Sequence, residues 1–253
     1  MVDDDLMSYR NDAVRALAWA IRSPNLINAT PGLDFQTPAA FIHAYEEAQP
    51  WLRHLDGEPE PLLKAIEAIN TWKVGVYFET LIAFWLDRRS GLKVLGHNPQ
   101  VRVQGRTLGA FDFLLRDEQG HHEHWEIAVK FYLQQTRSPE WSAWVGPNQR
   151  DRLDLKLSRM RDHQLPLAHT EAGQACLTDL GITALNTQRA VLKGTLFTPW
   201  REIGTTILPS GAAHAGERGT WLPVGELESL IDTAPERRWY RRRKPDWLGP
   251  ALQ

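Results

Sequence analysis

The segment at residues 105–133, GRTLGAFDFLLRDEQGHHEHWEIAVKFYL, constrains the fold of this chain more than any other. It predicts two strands joined by a turn at Asp117-Glu118-Gln119-Gly120. Successive side chains of a strand point to opposite faces, so the second strand has an apolar and a polar face. The apolar face carries Trp125, Ile127, Val129, Phe131 and Leu133. The polar face carries His122, His124, Glu126, Ala128, Lys130 and Tyr132. This pattern predicts a sheet with one face in the core and a carboxylate and an amine on the other.

The register of this hairpin decides whether two of its acids meet. In the first strand Ala110, Asp112 and Leu114 share one face, and Phe111, Phe113 and Leu115 share the other. If the hairpin is symmetric about Gln119, Asp112 lies opposite Glu126. Opposed Cβ atoms are roughly 4.5–5.5 Å apart, and like charges placed there repel unless a proton or a cation lies between them. A slip of one residue would put the two carboxylates on opposite faces instead.

A third acid lies on the preceding segment, residues 72–88, which predicts a helix that is apolar nearly all round and therefore buried. Glu79 is its only acid before Asp87. A buried glutamate is costly unless it is paired or binds a metal. Gly75, one turn earlier, leaves room for a ligand to approach. Three converging acids suit a hard divalent cation such as Mg²⁺ or Mn²⁺.

The order of a helix with Glu, a strand with Asp, and a strand with Glu and Lys resembles the PD-(D/E)XK nuclease superfamily. The runs HNPQVRVQGRTLGAFDFLLRD, HWEIAVKFYL and GPNQRDRLDLKLSRMRDHQLPL are similar to a bacterial family of unknown function within that superfamily. The resemblance implies an α/β fold with a restriction-endonuclease-like αβββαβ core. We expect this core at residues 71–200, an N-terminal helical lobe at 1–70, and a C-terminal extension with a basic tail at 201–253.

Carried over residue by residue, the resemblance makes Asp112 and Glu126 the catalytic, metal-binding acids, and Glu79 the helix acid that completes the site. The usual motif has its lysine two residues after the Glu, where this chain has Ala128. Lys130 is on the same face, but roughly 13 Å of strand separates it from Glu126. Either Lys130 leans back to a scissile phosphate, or Lys156 on the following helix supplies the charge.

Cationic groups that suit phosphates occur in two places. The helix predicted at 149–164 carries one stripe, formed by Arg152, Lys156, Arg159 and His163. This stripe either binds nucleic acid or is a solvated face paired with Asp151, Asp154 and Asp162. Arg237, Arg238, Arg241, Arg242, Arg243 and Lys244 surround Trp239 and Tyr240 in the tail, which is either a nucleic-acid arm or a solvated one.

Two tryptophans of the loop at 136–148 also leave two interpretations open. Trp141 and Trp144 either stack on bases or fix the loop to the body of the protein.

Composition excludes several classes of protein. The net charge of −2 gives no global case for nucleic acid, so any such case is local. No apolar run reaches the ~18 residues of a membrane span, and the start MVDDDLMSYR is not typical of a signal peptide. A single cysteine, Cys176, indicates a reducing cytoplasm. We find no P-loop, dinucleotide fingerprint or nucleophile elbow. The histidines near 121–124 are expected to be exposed hairpin residues and not zinc ligands.

The leading hypothesis is a cytoplasmic, Mg²⁺- or Mn²⁺-dependent nuclease that hydrolyses DNA phosphodiester bonds. The alternative is a noncatalytic nuclease-fold module that binds nucleic acid or a protein partner, which the displaced lysine favours. A homo-oligomer or a larger assembly is compatible with both.

Overall fold

The computed structural model describes residues 3–71, 73–88, 91–233, 236, 238–239 and 241–250. Trp72, Arg237 and Tyr240 lie outside these ranges. The fold is mixed α/β, with helices packed on a central mixed sheet. Its helices are α1 (Asp3–Leu6), α2 (Asp12–Arg22), α3 (Pro38–Gly57), α4 (Glu60–Glu67), α5 (Val74–Leu86), α6 (Leu153–Arg159), α7 (Glu171–Asp179) and α8 (Leu227–Asp232). Its strands are β1 (Leu92–His97), β2 (Gln100–Val103), β3 (Arg106–Ala110), β4 (Phe113–Asp117), β5 (His122–Gln134), β6 (Trp144–Val145), β7 (Thr187–Pro199) and β8 (Glu217–Trp221).

The main sheet has the strand order β1-β4-β5-β7-β8, with β6 paired to the end of β5. The pairs β1–β4 and β4–β5 are antiparallel, whereas β5–β7 and β7–β8 are parallel. Parallel neighbours need a crossover, and α6 and α7 supply it between β5 and β7. From α5 to β7 the chain follows the predicted order of a helix, three sheet strands (β1, β4 and β5), a helical segment and a strand, with the two-residue strand β6 added to the sheet before the helical segment. After the glycine- and alanine-rich residues 204–216, the chain returns to the sheet, because β8 begins at Glu217.

Residues 92–103 form two strands, and the chain bends between them. β1 belongs to the main sheet, whereas β2 pairs only with β3 in a separate two-stranded ribbon. Asn98 at the bend has a φ of 57°, and Pro99 has no amide hydrogen to continue the ladder. The partner strand bends at the same level, where the Asn98 amide donates to the Asp112 carbonyl at 3.0 Å. Asp112 thus lies at the junction between the ribbon and the sheet.

This bend changes one predicted face. Phe113 and Leu115 pack with the helices α2, α3 and α5, as expected of a shared face. Phe111 instead packs with Leu114 against α7. The regular alternation of a strand does not continue through the bend, so Phe111 and Phe113 are on different sides.

Both faces of β5 are covered. The predicted apolar face is confirmed, since Trp125, Ile127, Val129 and Phe131 are buried against the N-terminal helices and α5. The opposite face is covered by α6 and the turns that follow it, and Tyr132 is buried there. The expectation of an exposed His124 is wrong, because this side chain has 0% exposure.

The N-terminal helices largely follow the predicted pattern. The Thr37 hydroxyl accepts the Ala40 amide at 3.2 Å and caps α3, with Pro38 in the first turn, as predicted. Pro50 does not end α3, because Leu52 and Leu55 continue the buried stripe of the helix beyond it. Among the described residues, no helix is long and apolar enough to cross a membrane.

Candidate active site

The carboxyl groups of Asp112 and Glu126 meet at the junction of β3, β4 and β5. Phe113 pairs with Trp125 and Leu114 with His124, which is the register that the sequence predicts and which sets Asp112 against Glu126. The carboxyl group of Glu126 acts directly on that of Asp112 and raises its pKa. Asp112 Oδ2 also accepts the amide of Ile127 at 2.8 Å, which fixes its orientation.

The electrostatics of this pair favour one retained proton. Burial, followed by the charge and the hydrogen bond of Glu126, raises the pKa of Asp112 to about 8, against the opposing Ile127 amide. Burial also raises the pKa of Glu126, which is 1% exposed, while the Lys156 charge lowers it. We place the shared proton on Asp112 at neutral pH. A bound cation would take the place of that proton, since two adjacent carboxylates are not stable together without positive charge.

Lys156 and Gln164 form the polar surroundings of Glu126. Gln164 Nε2 donates to Glu126 Oε1, and Lys156 Nζ donates to Gln164 Oε1 at 3.0 Å. Burial lowers the pKa of Lys156, and the charges of Glu126 and Asp112 oppose this shift. Gln164 was not anticipated from the sequence. It ends a π-helical turn, Met160–Gln164, and such turns are frequent at functional sites but have no simple sequence pattern.

The second oxygen of Glu126 has no hydrogen-bond donor among the described residues. His124 Nε2 is 3.7 Å from this oxygen and also has no partner there. Burial lowers the pKa of His124 to about 4, so the ring is neutral at pH 7. The side-chain amide of Gln188 lies 3.3 Å from His124 Nδ1 and can donate to it. A buried carboxylate oxygen without a donor is a natural position for a cation or a water molecule.

Glu79 does not have the predicted environment. It lies on α5, but its side chain is 27% exposed and its Oε1 is 2.9 Å from His97 Nε2. The prediction of a lone buried glutamate is therefore wrong, because the bend after β1 brings His97 to this side chain. Glu79 still lines the same cleft as Asp112. Gly75 has open space where a side chain would be, as expected.

Lys130 forms an ion pair with Asp151, which the sequence suggested only as a partner for the cationic stripe on the helix predicted at 149–164. Its Nζ is 2.5 Å from Asp151 Oδ2, and both side chains are 31% exposed. Lys130 therefore pairs with Asp151 and not with Glu126 or Asp112. Of the two lysines considered for the catalytic charge, Lys156 is the one joined to Glu126, through Gln164.

A cleft of 890 Å³ opens over these residues. Among the described residues that line it, six are basic and three are acidic: Lys73, Lys130, Arg150, Lys156, Arg159 and Lys244, against Glu79, Asp112 and Asp151. The cleft is thus locally cationic in a chain of net charge −2. The C-terminal extension contributes Lys244 and Trp247 to it.

The contacts of four residues decide between the interpretations that the sequence left open. Arg159 lines the cleft, whereas Arg152 is absent from its lining and forms a two-pronged ion pair with Asp154 at 2.7 and 2.6 Å. Trp144 is fully buried. The Trp141 indole nitrogen donates to the Ser210 carbonyl at 2.8 Å. The loop that carries these tryptophans is therefore fixed to the body of the protein, and base stacking by them is not supported.

The carboxylate pair fits a divalent cation only in part. No group of three or more His, Cys, Asp or Glu side chains within the described ranges is close enough together to hold a metal ion. The predicted third acid, Glu79, is bonded to His97 instead. Asp112 and Glu126 offer oxygen ligands, one of which lacks any donor. This set suits Mg²⁺, which commonly binds proteins through one or two carboxylates and keeps several water molecules.

Comparison with known proteins places the chain without assigning it an activity. Neither the curated proteins nor the solved structures contain a match. One family model, described as a domain of unknown function (DUF1853), matches residues 15–253, which include the whole cleft. The chain therefore belongs to the DUF1853 family.

Proposed function

We propose that this chain is a divalent-metal-dependent nuclease, with a core of the PD-(D/E)XK type, that hydrolyses DNA phosphodiester bonds. The observation that carries the proposal is the meeting of Asp112 and Lys156, which line a cationic cleft, with the buried Glu126. The order of a helix, three sheet strands, a helical segment and a strand also agrees with the αβββαβ core. Asp112 and Glu126 follow that order in the positions of the superfamily acids.

The residues of the cleft have separable roles in this proposal. Arg150, Arg159 and Lys244 attract the DNA backbone, since cations on a cleft wall compensate the negative phosphates. Asp112 and Glu126 hold Mg²⁺ or Mn²⁺. When bound, such a cation lowers the pKa of a coordinated water and polarises the phosphoryl oxygens.

Lys156 is the residue to which we assign transition-state stabilisation. Its ammonium group is near the acids, and Gln164 orients it. Negative charge grows on the phosphate oxygens during hydrolysis, and a fixed cation in a water-poor site stabilises that charge strongly. Ala128 at the usual lysine position is then no obstacle, because α6 supplies the amine from the other side of the cleft.

A noncatalytic nuclease-fold module is the second candidate. The bonding of Lys130 to Asp151 and of Glu79 to His97 favours it, because both side chains are committed to other partners. Such a module would bind nucleic acid or a protein partner and leave the phosphodiester bond intact.

Nicking of supercoiled plasmid in the presence of Mg²⁺ or Mn²⁺ separates the two candidates. We expect Asp112→Asn and Glu126→Gln to lower the nicking rate at least about 1,000-fold, which is the loss typical of removing a central electrostatic group. Glu118→Gln, an exposed acid in the turn of the same hairpin, is the matched control and should nick like the parent. Equal nicking by all four proteins would assign the activity to a contaminant. DNA binding by the parent without any nicking would establish the noncatalytic module.

A further inference from the structure

The ribbon formed by β2 and β3 projects from the body of the protein. Within the described part of the chain, its strands pair only with each other. All residues from 102 to 108 are exposed. Its exposed apolar side chains are Val103, at 41% exposure, and Leu108, at 56%. No described secondary-structure element covers this tip.

The base of the ribbon is anchored. Val101 and Phe111 have 0% exposure and pack with Leu167 and Leu177 beneath the ribbon. At the tip, Gln104 and Gly105 have φ values of 49° and 80°, and Val103 pairs with Arg106 across them. Positive φ at both central residues is the signature of a tight two-residue turn whose twist matches the strands. The ribbon is therefore a built, twisted arm and not an irregular loop.

The charge of the ribbon has one sign. Between residues 98 and 111 the only charged side chains are Arg102 and Arg106. Neither forms an ion pair or a side-chain hydrogen bond with any residue of the described ranges. Arg152, Arg161 and Arg189, in contrast, each contact an aspartate. The remaining exposed polar side chains of the ribbon, Gln100, Gln104 and Thr107, are uncharged hydrogen-bonding groups.

We propose that this ribbon enters the major groove of double-stranded DNA, which makes duplex DNA the substrate class of the proposed nuclease. The major groove is about 12 Å wide and admits a two-stranded ribbon, and arginine, glutamine and threonine side chains match the edges of its bases. The inference rests on the proposed function, because the orientation of the duplex comes from Asp112. That residue ends the ribbon where it joins the sheet.

The length of the ribbon sets where it contacts the duplex. Seven residues separate Gly105 from Asp112, which is roughly 23 Å of extended strand. A phosphate bound beside Asp112 would therefore be about two-thirds of a helical turn from the bases at the ribbon tip. A single strand has no groove to receive the arm, so the contribution of the ribbon is specific to duplex DNA.

Binding of fluorescent DNA tests this inference without depending on cleavage. The variant Arg102→Ala/Arg106→Ala is compared with Arg53→Ala/Arg137→Ala, which removes the same charge from exposed positions elsewhere. Both are titrated with a 30-bp duplex and with one of its single strands, by fluorescence anisotropy in EDTA. We expect the ribbon variant to bind the duplex at least tenfold more weakly than the control variant. Its salt slope should fall by at most about 1.8, because each arginine that neutralises a phosphate contributes about 0.9 to the slope. Its affinity for the single strand should change less than threefold.

Several outcomes would overturn the ribbon assignment. They are equal duplex binding by the two variants, an equal loss on duplex and single strand, and a parent protein without affinity for duplex DNA. Failure of the proposed function has a different signature. Ribbon-dependent duplex binding with no cleavage in Mg²⁺ or Mn²⁺ would leave the groove contact in place and remove the nuclease activity.

Discussion

Two buried side chains of ionisable residues, on neighbouring strands of the sheet, differ in their hydrogen-bond partners. Lys193 on β7 is fully buried, and its Nζ donates to the carbonyls of Ala20 and Ile21 at 2.7 and 3.0 Å. These carbonyls end α2, and the same Nζ lies 3.7 Å from the centre of the Phe41 ring. Glu126 on β5 faces the other side of the sheet, with one oxygen unbonded among the described residues and an aspartate beside it.

The difference distinguishes a residue with a structural role from residues with a chemical role. Lys193 completes the end of a helix, where lone carbonyls and the helix dipole favour a donor. Within the described ranges, Glu126 and Asp112 each accept a single hydrogen bond from a neighbouring donor, and the Glu126 charge makes the charged form of Asp112 costlier. Groups that lower stability but remain clustered in a cleft are the mark of a functional site. Four measurements test this difference between Lys193 and the acid pair.

The largest effect is expected from Lys193→Ala. The substitution leaves two buried carbonyls without a donor and opens a cavity under Phe41, so the free energy of unfolding should fall by about 3–5 kcal/mol. Urea denaturation measures the loss, and Lys93→Ala, an exposed lysine of β1, should change it by less than about 0.5 kcal/mol. A loss below 1 kcal/mol for Lys193→Ala would show that this lysine is not the structural counterpart of the acid pair.

Asp112→Asn should raise the free energy of unfolding, whereas Lys193→Ala should lower it. Its folded-state pKa of about 8 is far above the roughly 3.9 of an unfolded chain. As pH rises from 4 to 8 the unfolded state loses this proton first, so the stability linked to Asp112 is full below pH 4. It is lost as pH passes through 8.

Asparagine keeps an oxygen for the Ile127 amide and removes this dependence on pH. We expect Asp112→Asn to stabilise the protein by about 1–3 kcal/mol at pH 8 in EDTA, and to have little effect at pH 4. Urea denaturation across this range provides the measurement. A variant less stable than the parent throughout would make the acid pair a structural network.

The hairpin register and the burial of one β5 face were accessible from the sequence for a simple reason. A tight turn at residues 117–120 and strict alternation after it leave little freedom in pairing. The bend at Asn98-Pro99 was harder to interpret. The turn residues were visible, but a break in one strand does not reveal that its partner breaks too. Because both strands bend at this level, His97 reaches Glu79, and β2 and β3 form a ribbon separate from the main sheet.

The helical side of the site was less accessible still. Lys156 was recognisable as a cation after the hairpin. The role of Gln164 depends on a π turn that shifts it by a fraction of a helical turn toward Glu126. Lys193 lies within the run RAVLKGTLF, and nothing local indicates that the end of α2, about 170 residues earlier, receives its amine.

A divalent cation should relieve the unfavourable pairing of Asp112 with Glu126. With Mg²⁺ or Mn²⁺ at ten times its dissociation constant, the parent should gain about 1.4 kcal/mol of stability, because the ion binds only the folded state. Thermal unfolding with and without the cation measures this gain. Asp112→Asn and Glu126→Gln should lose most of it, whereas Glu118→Gln should keep it. A gain of the same size in all of these proteins would place the ion elsewhere.

The smallest change in stability is expected at Lys130. Its ion pair with Asp151 is not buried, unlike Lys193, and it joins opposite charges, unlike the pair of Asp112 and Glu126. Both side chains are 31% exposed, and exposed pairs contribute about 0–1 kcal/mol. Lys130→Ala and Asp151→Ala should each change stability by less than about 1 kcal/mol.

In the nicking assay Lys130→Ala should lower the rate less than tenfold, and Lys156→Ala by about 100-fold, because only Lys156 is joined to the acid pair. If Lys130→Ala were the more damaging of the two, the amine would have to leave Asp151 during the reaction. The displaced lysine of β5, and not the helix lysine, would then stabilise the phosphate.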